Sequence, residues 1–378
     1  MFAALTEELD QLPAELRALL AKHNFNQERF LSLAQRVGSS EAEQNQLTGK
    51  LTPPKAEELI RLPDPDSDEG RRLIALGSEA LSQGRCALVV LAGGMATRMG
   101  GVVKSLVEVF PGQTFLDLRL REMDAIAQRY GQRAPFWLMT SDATDEAIGQ
   151  ALGDGLDGET VATFVQELSL RLTPEGRLFR DEKGKPSVHA QGHGDLPDAL
   201  RSSGLLARFI QRGGRYLTLS NIDNLGATLD PLLIGVHIDR GRPLTCELVE
   251  NLGSDKGGVP VSVDGASPII VEDFRLPQDF DRSSVPVFNS NTFHADAQAL
   301  EELNLAWTFF LVKKRVGDAT AIQFERLIQE LTAHMPTTYV QVPRTGAKSR
   351  FLPVKDFSEL EQRRATIRAV VQDRGIVT

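Results

Sequence analysis

The run CALVVLAGGMATRMGG at residues 86–101 decides the fold. It begins with uninterrupted apolar residues, which is typical of a strand covered on both faces. Glycines follow at once, so the strand leads into a turn whose bare main-chain N–H groups can approach a ligand closely. The turn is not a phosphate-binding P-loop, because no Gly-Lys-[Ser/Thr] closes it, and the dinucleotide fingerprint Gly-x-Gly-x-x-Gly is absent. An ordinary tight strand-to-helix turn is the alternative interpretation.

Strand-like apolar runs and helical patterns alternate along the chain: strand 86–91, helix 115–130, strand 136–140, helix 197–211 and strand 216–220. This alternation predicts an α/β fold with a Rossmann-like, mostly parallel mixed sheet flanked by helices. Open sheets of this kind bind ligands beyond the carboxyl ends of their strands. We therefore expect binding residues in the segments that leave those ends: 92–104, 188–195 and 220–226.

The chain before residue 81 has a different pattern, which predicts an N-terminal helical region over residues 1–80. Its leucines recur at spacings of three and four, as on one face of a helix: Leu5, Leu9, Leu12, Leu16 and Leu19. Pro13 lacks the N–H needed to continue a helix, so we expect a second helix to begin there. A catalytic domain over 81–360 and a short helical tail over 361–378 complete the predicted organisation.

The composition restricts the partners and the compartment. The formal net charge is −9, and no Lys/Arg run is interleaved with aromatic residues, so a nucleic-acid partner is not expected. No apolar run approaches the roughly 18 residues that span a bilayer, and no leader sequence is evident, so we expect no membrane association. Cys86 and Cys246 lie far apart in apolar segments, which favours reduced thiols and a cytoplasmic location.

The glycine-rich turn also carries positive charge. Its four glycines offer unhindered N–H groups, and Arg98 and Lys104 lie in the same short segment. Main-chain donors and placed cations together can hold the polyphosphate of a nucleotide. An acidic chain that binds an anion needs such local donors and cations, together with a bound divalent cation.

The segment LAGGMATRMGGVVKSLVEV at 91–109 resembles the signature loop of nucleotide-sugar pyrophosphorylases, which join a nucleoside triphosphate to a sugar 1-phosphate. The general form is Gly-Gly-x-x-Thr-x-x-Gly followed by Pro-Lys. Ala96 stands where glycine is usual, and Val103 stands where the proline is usual. Loss of the proline ring is expected to leave the loop less rigid, while Lys104 keeps its place in the motif.

Further motifs resemble the eukaryotic-type UTP–glucose-1-phosphate uridylyltransferase family. They follow in the family's order: AQGHGDLPDAL at 190–200, LSNIDNLGATLDP at 219–231, KGGVPV at 256–261, VEDFRLP at 271–277, VFNSNTF at 287–293, a Gln-x-Glu at 323–325 and SRFLPVKD at 349–356. The resemblance covers roughly residues 85–360, and several ordered motifs arise by accident far less often than one. We therefore expect the fold and the activity of that family.

The resemblance implies a nucleotide site. The family's uracil contacts fall on four positions: the main chain of Gly93 and Gly94, Gln166 and Gly192. A side-chain amide suits the donors and acceptors on the edge of uracil, although Gln166 alone is equally an ordinary strand-edge residue. His193 matches the histidine that meets the sugar phosphate, and an exposed turn histidine is the alternative.

Asn221 and Asp223 follow the strand YLTLS, at the place where an open sheet presents its ligands. The resemblance assigns both residues to the nucleotide and assigns Asp223 also to Mg²⁺, the one cofactor expected. A carboxylate is a hard ligand that Mg²⁺ prefers, with waters and phosphates in the other positions. The alternative is that Asp223 caps a helix beginning near residue 224.

The resemblance also implies positions for the sugar and for the catalytic cations. The family's sugar contacts fall on His193, Gly258, Glu272, Asn289 and Asn291. Taken alone, Glu272 is equally a solvated surface carboxylate. Lys104 and Lys355 are placed near the phosphates from distant segments, with Arg98 in the glycine-rich turn. Together these three focus positive charge where negative charge builds up.

The reaction implied is the transfer of a uridylyl group from UTP to glucose 1-phosphate. A phosphate oxygen of the sugar attacks the α-phosphorus of UTP in line, Mg²⁺ assists, and pyrophosphate leaves to give UDP-glucose. No general base is required, because the attacking phosphate is already ionised at neutral pH.

Two other functions remain as alternatives. The segment GSEALSQGRCALVVLAGG at 77–94 is similar to the branch that makes UDP-N-acetylglucosamine, so a UDP-N-acetylglucosamine or broad UDP-sugar pyrophosphorylase is the nearer alternative. A non-catalytic nucleotide-sugar-binding regulatory protein is the other, since a retained fold does not guarantee turnover.

The C-terminal end departs from the family pattern. Eukaryotic-type members carry a parallel β-helix domain after SRFLPVK, whereas residues 356–378 follow that motif here. We therefore do not expect that domain or oligomerisation through it, and expect a monomer or a differently built dimer.

Overall fold

The computed structural model describes residues 2–38, 45–253, 255 and 257–377. Its helices are α1 Phe2–Asp10, α2 Ala14–Lys22, α3 Gln27–Ala34, α4 Asp68–Ser82, α5 Phe115–Tyr130, α6 Asp145–Leu152, α7 Leu196–Ser202, α8 Leu205–Gln211, α9 Pro231–Arg240, α10 Ala297–Glu301, α11 Leu331–His334 and α12 Phe357–Asp373. The central sheet contains β1 Leu59–Arg61, β2 Cys86–Leu91, β3 Phe136–Thr140, β4 Val161–Val165, β5 Tyr216–Asn221, β6 Leu244–Glu250, β7 Val287–Asp296 and β8 Thr337–Gln341.

Short strands form smaller sheets around this one. One of them has Val259–Val263 as its middle strand, with Leu51–Thr52 on one side and Ile269–Val271 on the other. The other pairs are Met95–Ala96 with Val102–Val103, Glu108–Phe110 with Gln113–Thr114, Leu168–Leu170 with Val188–Ala190, and Phe310–Val316 with Ala319–Glu325.

The central sheet has the order β1-β8-β6-β7-β5-β2-β3-β4. Strand β7 is antiparallel to both of its neighbours, while the other pairings are parallel. This architecture confirms the predicted α/β fold with a mostly parallel mixed sheet. The chain runs outward from β2 through β3 and β4 and then returns to β5 on the other side of β2. The strand order therefore reverses between β2 and β5, which is where open α/β sheets bind ligands.

The elements around this crevice mostly match the predicted ones. The bounds of β2, β3 and α5 are as predicted, and α5 begins with a capping box between Thr114 and Asp117. The predicted helix 197–211 is instead two helices, α7 and α8, because Gly204 adopts a left-handed φ of 73° between them. Strand β5 extends beyond the predicted end, to Asn221.

The N-terminal helices pack onto two of the small sheets. Leu5, Leu9 and Leu12 are buried in one apolar cluster with Leu170 and Phe324. Helix α2 follows Pro13, as predicted. Residues Leu59–Arg61 are a strand, which pairs in parallel with β8 at the edge of the central sheet.

The C-terminal helix α12 is part of the packed structure. It buries Ile367 and Val370 in the same apolar cluster as Val109 and Phe110. In the described part of the chain, none of the helices has the length and apolar character that a bilayer crossing requires.

Candidate functional site

The glycine-rich loop after β2 begins with two glycines in different surroundings. A Cβ on Gly93 would lie 2.3 Å from Gln166 Nε2, whereas a Cβ on Gly94 would project into open space. The carbonyl oxygen of Gly93 accepts the Ser141 hydroxyl at 2.9 Å. The structure therefore brings together Gly93 and Gln166, two of the residues predicted for uracil, and Gln166 lies just beyond the end of β4.

The rest of this loop folds back on itself as a short strand pair. Met95–Ala96 pairs with Val102–Val103, and Gly100 takes a left-handed φ of 85° in the connection. Val103 itself has a φ of −64°, which is the value a proline ring would impose. Arg98 is exposed, and in the described chain no hydrogen bond or ion pair links it to the other predicted residues.

Lys104 and Asp223 meet across the crevice. Lys104 Nζ lies 2.8 Å from Asp223 Oδ2, and that oxygen also accepts the N–H of Val354 at 2.9 Å. The alternative that Asp223 caps a helix is wrong, because the next helix, α9, begins at Pro231 and is capped by Asp230. The described residues contain no group of three or more His, Cys, Asp or Glu side chains arranged for a metal ion. A cation here would rest on Asp223 and on the ligand's own oxygens.

Arg119 of α5 positions the loop that carries Asp223. It is fully buried and donates to the carbonyl oxygens of Asn224 and Ala227, each at 2.6 Å. Glu122 lies 2.7 Å from its guanidinium and balances the charge. Sequence reasoning missed this residue. The sequence did offer a signal, because Arg119 lies on the apolar face of the predicted helix 115–130, together with Leu116 and Met123, and a buried arginine needs hydrogen-bond partners.

The SRFLPVKD segment is held against the same loop by Asn224. Asn224 Nδ2 donates to Arg350 O at 3.1 Å, and Asn224 Oδ1 accepts the N–H of Leu352 at 2.8 Å. The main chain before Lys355 is thereby placed beside Asp223. Lys355 is exposed, and within the described residues no ion pair links its ammonium to Asp223.

The asparagines predicted for the sugar form a connected group. Asn291 Nδ2 donates to Asn221 Oδ1 at 3.2 Å, and the N–H of Asn291 donates to Asn289 Oδ1 at 2.9 Å. Asn291 has a left-handed φ of 57° at a β-bulge, where the pairing with β6 shifts register between Glu247 and Leu248. The N–H of Asn289 donates to Gly258 O at 2.8 Å.

Glu272 lies against this group. A Cβ on Gly258 would lie 2.6 Å from Ile270 Cγ2 and 3.0 Å from Glu272 Oε1, so Gly258 is closely packed against both side chains. Burial raises the pKa of Glu272 to about 7, against the opposing charge of Arg282. Gln329 Nε2 donates to Glu272 Oε1 at 2.6 Å. Sequence reasoning missed Gln329, and no motif in the sequence pointed to it.

The Gly-His-Gly segment is packed against the chain around residue 326. Gly192 has a left-handed φ of 90°, and its Cβ would lie 2.6 Å from Arg326 O. His193 Nδ1 accepts the N–H of Ile328 at 3.0 Å. Burial lowers the pKa of His193 to about 4, with a smaller opposing effect of Glu325. The neutral ring therefore carries its proton on Nε2 and presents a hydrogen-bond donor.

A buried ion network lies next to Gln166 in the chain. Arg326 is 1% exposed and pairs with Asp195 and Glu167. Arg29 of α3 pairs with Glu167 from the other side. Glu167 is adjacent to Gln166, so this network ties the N-terminal helices to the residues predicted for uracil.

Comparison with known proteins identifies the family. A profile described as UTP–glucose-1-phosphate uridylyltransferase matches residues 27–370. The "Probable UTP–glucose-1-phosphate uridylyltransferase" of Schizosaccharomyces pombe is 29% identical over 388 residues, which cover 95% of this chain and 73% of the relative. The UTP–glucose-1-phosphate uridylyltransferase of Saccharomyces cerevisiae is 30% identical over 331 residues, which cover 80% of this chain and 64% of the relative. This chain thus spans only part of each relative's length.

Solved structures share the fold. UDP-glucose phosphorylase from Trypanosoma brucei has a TM-score of 0.70 at 23% identity, covering 95% of this chain and 77% of that one. A mutant UDP-glucose pyrophosphorylase from Leishmania major has a TM-score of 0.71 at 22% identity, covering 93% and 79%. The Trypanosoma brucei uridine diphosphate N-acetylglucosamine pyrophosphorylase has a TM-score of 0.67 at 19% identity, covering 89% and 81%. With a family profile that spans most of its length, the chain belongs to the UTP–glucose-1-phosphate uridylyltransferase family of nucleotidyltransferases.

Proposed function

We propose that the chain transfers a uridylyl group from UTP to glucose 1-phosphate and releases UDP-glucose and pyrophosphate. The observation that carries the proposal is the pair of Lys104 and Asp223, 2.8 Å apart, in which the loops after β2 and β5 meet. The family relatives from two yeasts bear the name of this activity. A Leishmania major protein of similar fold was crystallised in complex with UDP-glucose.

The base of UTP is assigned to the first part of the glycine-rich loop. The open space at Gly94 and the close packing of Gln166 on Gly93 support this assignment, because main-chain donors and a side-chain amide can then share the edge of uracil. Gly192 is assigned to the same base. Asn221 follows β5 directly and is assigned to the nucleotide with Asp223.

The chemical step requires that the two substrates are held in line and that positive charge offsets the charge of the transition state. A non-bridging oxygen of glucose 1-phosphate bonds to the α-phosphorus of UTP, the bond to the β-phosphate oxygen breaks, and pyrophosphate leaves on the opposite side. Lys104, Lys355 and Arg98 are assigned to offset the negative charge of the transition state. Lys355 and Arg98 are exposed, so their long side chains are free to turn onto a bound polyphosphate.

The sugar phosphate is assigned to His193, whose Nε2–H can donate to a phosphate oxygen because Nδ1 already accepts the N–H of Ile328. The sugar hydroxyls are assigned to the connected polar group described above: Gly258, Glu272, Asn289 and Asn291. Its carboxylate and amide groups can accept from and donate to several hydroxyls at once.

We include Mg²⁺ as the cofactor, and the residues fit it. Asp223 Oδ2 is engaged by Lys104 and Val354, whereas none of the described residues donates to Oδ1. One carboxylate oxygen with the phosphates of a nucleotide is a donor set that Mg²⁺ accepts. When bound, the cation would neutralise charge on the phosphates.

Release of pyrophosphate tests the proposal. Purified protein is mixed with UTP, Mg²⁺ and, in separate reactions, the 1-phosphates of glucose, galactose and N-acetylglucosamine. Fastest release with glucose 1-phosphate is the expected result. Fastest release with N-acetylglucosamine 1-phosphate would favour the alternative pyrophosphorylase. Binding of UDP-glucose with no release from any sugar would favour a non-catalytic binding protein.

The proposal includes a cytoplasmic location. Cys86 and Cys246 are buried free thiols, and burial raises the pKa of Cys86 to about 12, so that thiol stays protonated and inert. Such thiols are compatible with a reducing compartment. We expect no nucleic-acid partner, and sedimentation analysis distinguishes a monomer from a dimer.

A further inference from the structure

Gln329 lies in the short turn Ile328–Glu330, and its two amide atoms have unequal surroundings. The residue is 1% exposed. Nε2 donates to Glu272 Oε1 at 2.6 Å, whereas the carbonyl oxygen Oε1 is buried with no hydrogen-bond partner among the described residues. A buried acceptor without a donor is unfavourable. This atom therefore calls for a donor from outside the described chain.

The turn is held firmly in place. Ile328 donates its N–H to His193 Nδ1 at 3.0 Å, which ties the turn to the residue assigned to the sugar phosphate. Thr332 Oγ1 donates to Gln329 O at 2.7 Å and accepts the N–H of Ile270 at 2.8 Å. The main chain of the turn is therefore fixed beside His193, and the side-chain amide is fixed by its hydrogen bond to Glu272.

We propose that Gln329 is a specificity-determining residue for the sugar, an inference that rests on the proposed function. Its amide nitrogen holds Glu272 in a fixed orientation, and its carbonyl oxygen accepts a hydrogen bond from one hydroxyl of the aldose 1-phosphate. A sugar that offers this hydroxyl satisfies the buried acceptor. A sugar that lacks it leaves the acceptor unpaired, and sites of this kind reject such analogues strongly.

The amide nitrogen and the carbonyl oxygen of Gln329 would both serve to recognise the same sugar hydroxyl. Gly258 leaves room for Glu272 Oε1, and the Cβ that glycine lacks would also lie 3.6 Å from Asn289 Cβ. Glu272 and Asn289 thus both lie beside Gly258, and Gln329 adjoins Glu272 through its hydrogen bond. A hydroxyl there meets a carboxylate and an amide carbonyl, which are both acceptors, so the group recognised must be a donor.

The test compares glucose 1-phosphate with its 2-, 3-, 4- and 6-deoxy analogues, using kcat/KM for each with UTP. Wild type is expected to reject one analogue by about 10-fold to 100-fold more than the others, which is the scale of one lost hydrogen bond to a buried group. Gln329→Met keeps the side-chain length and removes both polar groups. It should lose that discrimination while its KM for UTP stays unchanged.

Two further variants separate recognition from folding. Thr332→Val is the matched control, because it weakens the turn but leaves the amide and Glu272 intact, and it should keep the wild-type ranking of analogues. Gln329→Glu keeps an acceptor and removes the amide donor. It should retain the discrimination but raise KM for the sugar, because two carboxyl groups then face each other. Thermal melts show which variants fold.

The outcomes distinguish this inference from the function on which it rests. If wild type has the same kcat/KM for all the deoxy analogues, the inference is overturned, whatever the variants do. So does an active Gln329→Met protein that slows every analogue by the same factor, or none of them. If wild type makes no nucleotide sugar from UTP and any of these sugars, the proposed function falls, and the inference falls with it.

Discussion

Lys104 Nζ lies 2.8 Å from Asp223 Oδ2, and the same carboxylate oxygen accepts the N–H of Val354 at 2.9 Å. One carboxylate thereby joins three segments that are distant in sequence: the loop after β2, the loop after β5 and the segment before α12. The Asp223 side chain is 6% exposed and that of Lys104 is 23% exposed, so the pair is only partly screened by solvent. An anionic ligand in the crevice would compete with Asp223 for the ammonium.

Lys104→Ala is expected to lower kcat by about 10²-fold or more, because removal of a donor to transition-state charge costs that much in other enzymes. Lys355→Ala should lower kcat on the same scale. The rate of pyrophosphate release measures both effects. Lys348→Ala is the matched control, since its exposed ammonium pairs with Asp373, and its kcat should equal that of wild type. Near wild-type turnover in purified Lys104→Ala would remove Lys104 from the mechanism.

Removal of divalent cations should stop turnover. Chelation with EDTA is expected to abolish pyrophosphate release, and added Mg²⁺ should restore it, because phosphoryl transfer needs the charge of the phosphates neutralised. Asp223→Asn should raise the Mg²⁺ concentration required for half-maximal rate. Undiminished release in EDTA, or an unchanged Mg²⁺ requirement in the variant, would argue against the metal assignment.

Glu272 should make stability depend on pH. Burial raises its pKa from 4.5 to about 7, with Asp273 and Glu330 adding to the rise and Arg282 opposing it. Because the folded state binds this proton more tightly than the unfolded state, the associated stability is present below pH 4.5 and is lost as pH rises to about 7. Relative to Glu272→Gln, wild type should therefore lose melting temperature across that window. An unchanged difference in melting temperature between pH 4.5 and pH 8 would contradict this.

The same titration should appear in sugar binding. Protonation removes the negative charge of Glu272 and turns one of its acceptor oxygens into a donor, so KM for glucose 1-phosphate should rise in wild type as pH falls below about 7. Glu272→Gln should lack this step and should have a higher KM for the sugar throughout, with little change in KM for UTP. The substrate phosphate titrates equally in both proteins, so their difference isolates Glu272. A larger effect on UTP would overturn the sugar assignment.

His193 should remain neutral across the physiological range. Burial lowers its pKa from 6.5 to about 4, so its ring signals in NMR spectra should not titrate between pH 5.5 and pH 8. Since the folded-state pKa lies below the unfolded value, stability should fall as pH drops from 6.5 toward 4. His193→Phe should lack this contribution and should bind the sugar phosphate more weakly. A titration midpoint near 6.5 would exclude the neutral donor inferred from the Ile328 contact.

Arg326→Met should destabilise the fold by about 3–5 kcal/mol, because it leaves the buried carboxyl group of Asp195 without its ion-pair partner and leaves Glu167 with Arg29 alone. Urea unfolding measures the change. Arg71→Met is the matched control, since Arg71 pairs with Asp68 on the exposed surface of α4, and its effect should stay within about 0.5 kcal/mol. Equal free energies of unfolding for the two variants would show that the buried network is unimportant for stability.

Local patterns accounted for most of the fold. The apolar run 86–91 and the helical face of 115–130 appear in the structure with the predicted bounds. The break between α7 and α8 was not predicted, because a glycine inside a helical pattern is usually tolerated. Its left-handed φ of 73° at Gly204 depends on how the flanking helices pack.

The candidate site was predictable only where motifs carried it. The positions of Lys104, Asp223 and Glu272 follow from ordered motifs. Arg119 and Gln329 do not, because their roles depend on partners far away in the chain. Arg119 reaches a carbonyl oxygen 105 residues later, and Gln329 reaches a carboxylate 57 residues earlier.

By itself the sequence determined β2, β3 and α5, the mostly parallel character of the sheet and the family, because periodicity and motif order are properties of contiguous segments. Only the tertiary structure decided that Asp223 pairs with Lys104 instead of capping a helix, that neither Arg98 nor Lys355 forms an ion pair within the described residues, and that Gln329 donates to Glu272. Which side chain becomes a partner depends on where distant segments pack, and that is set by the whole core at once.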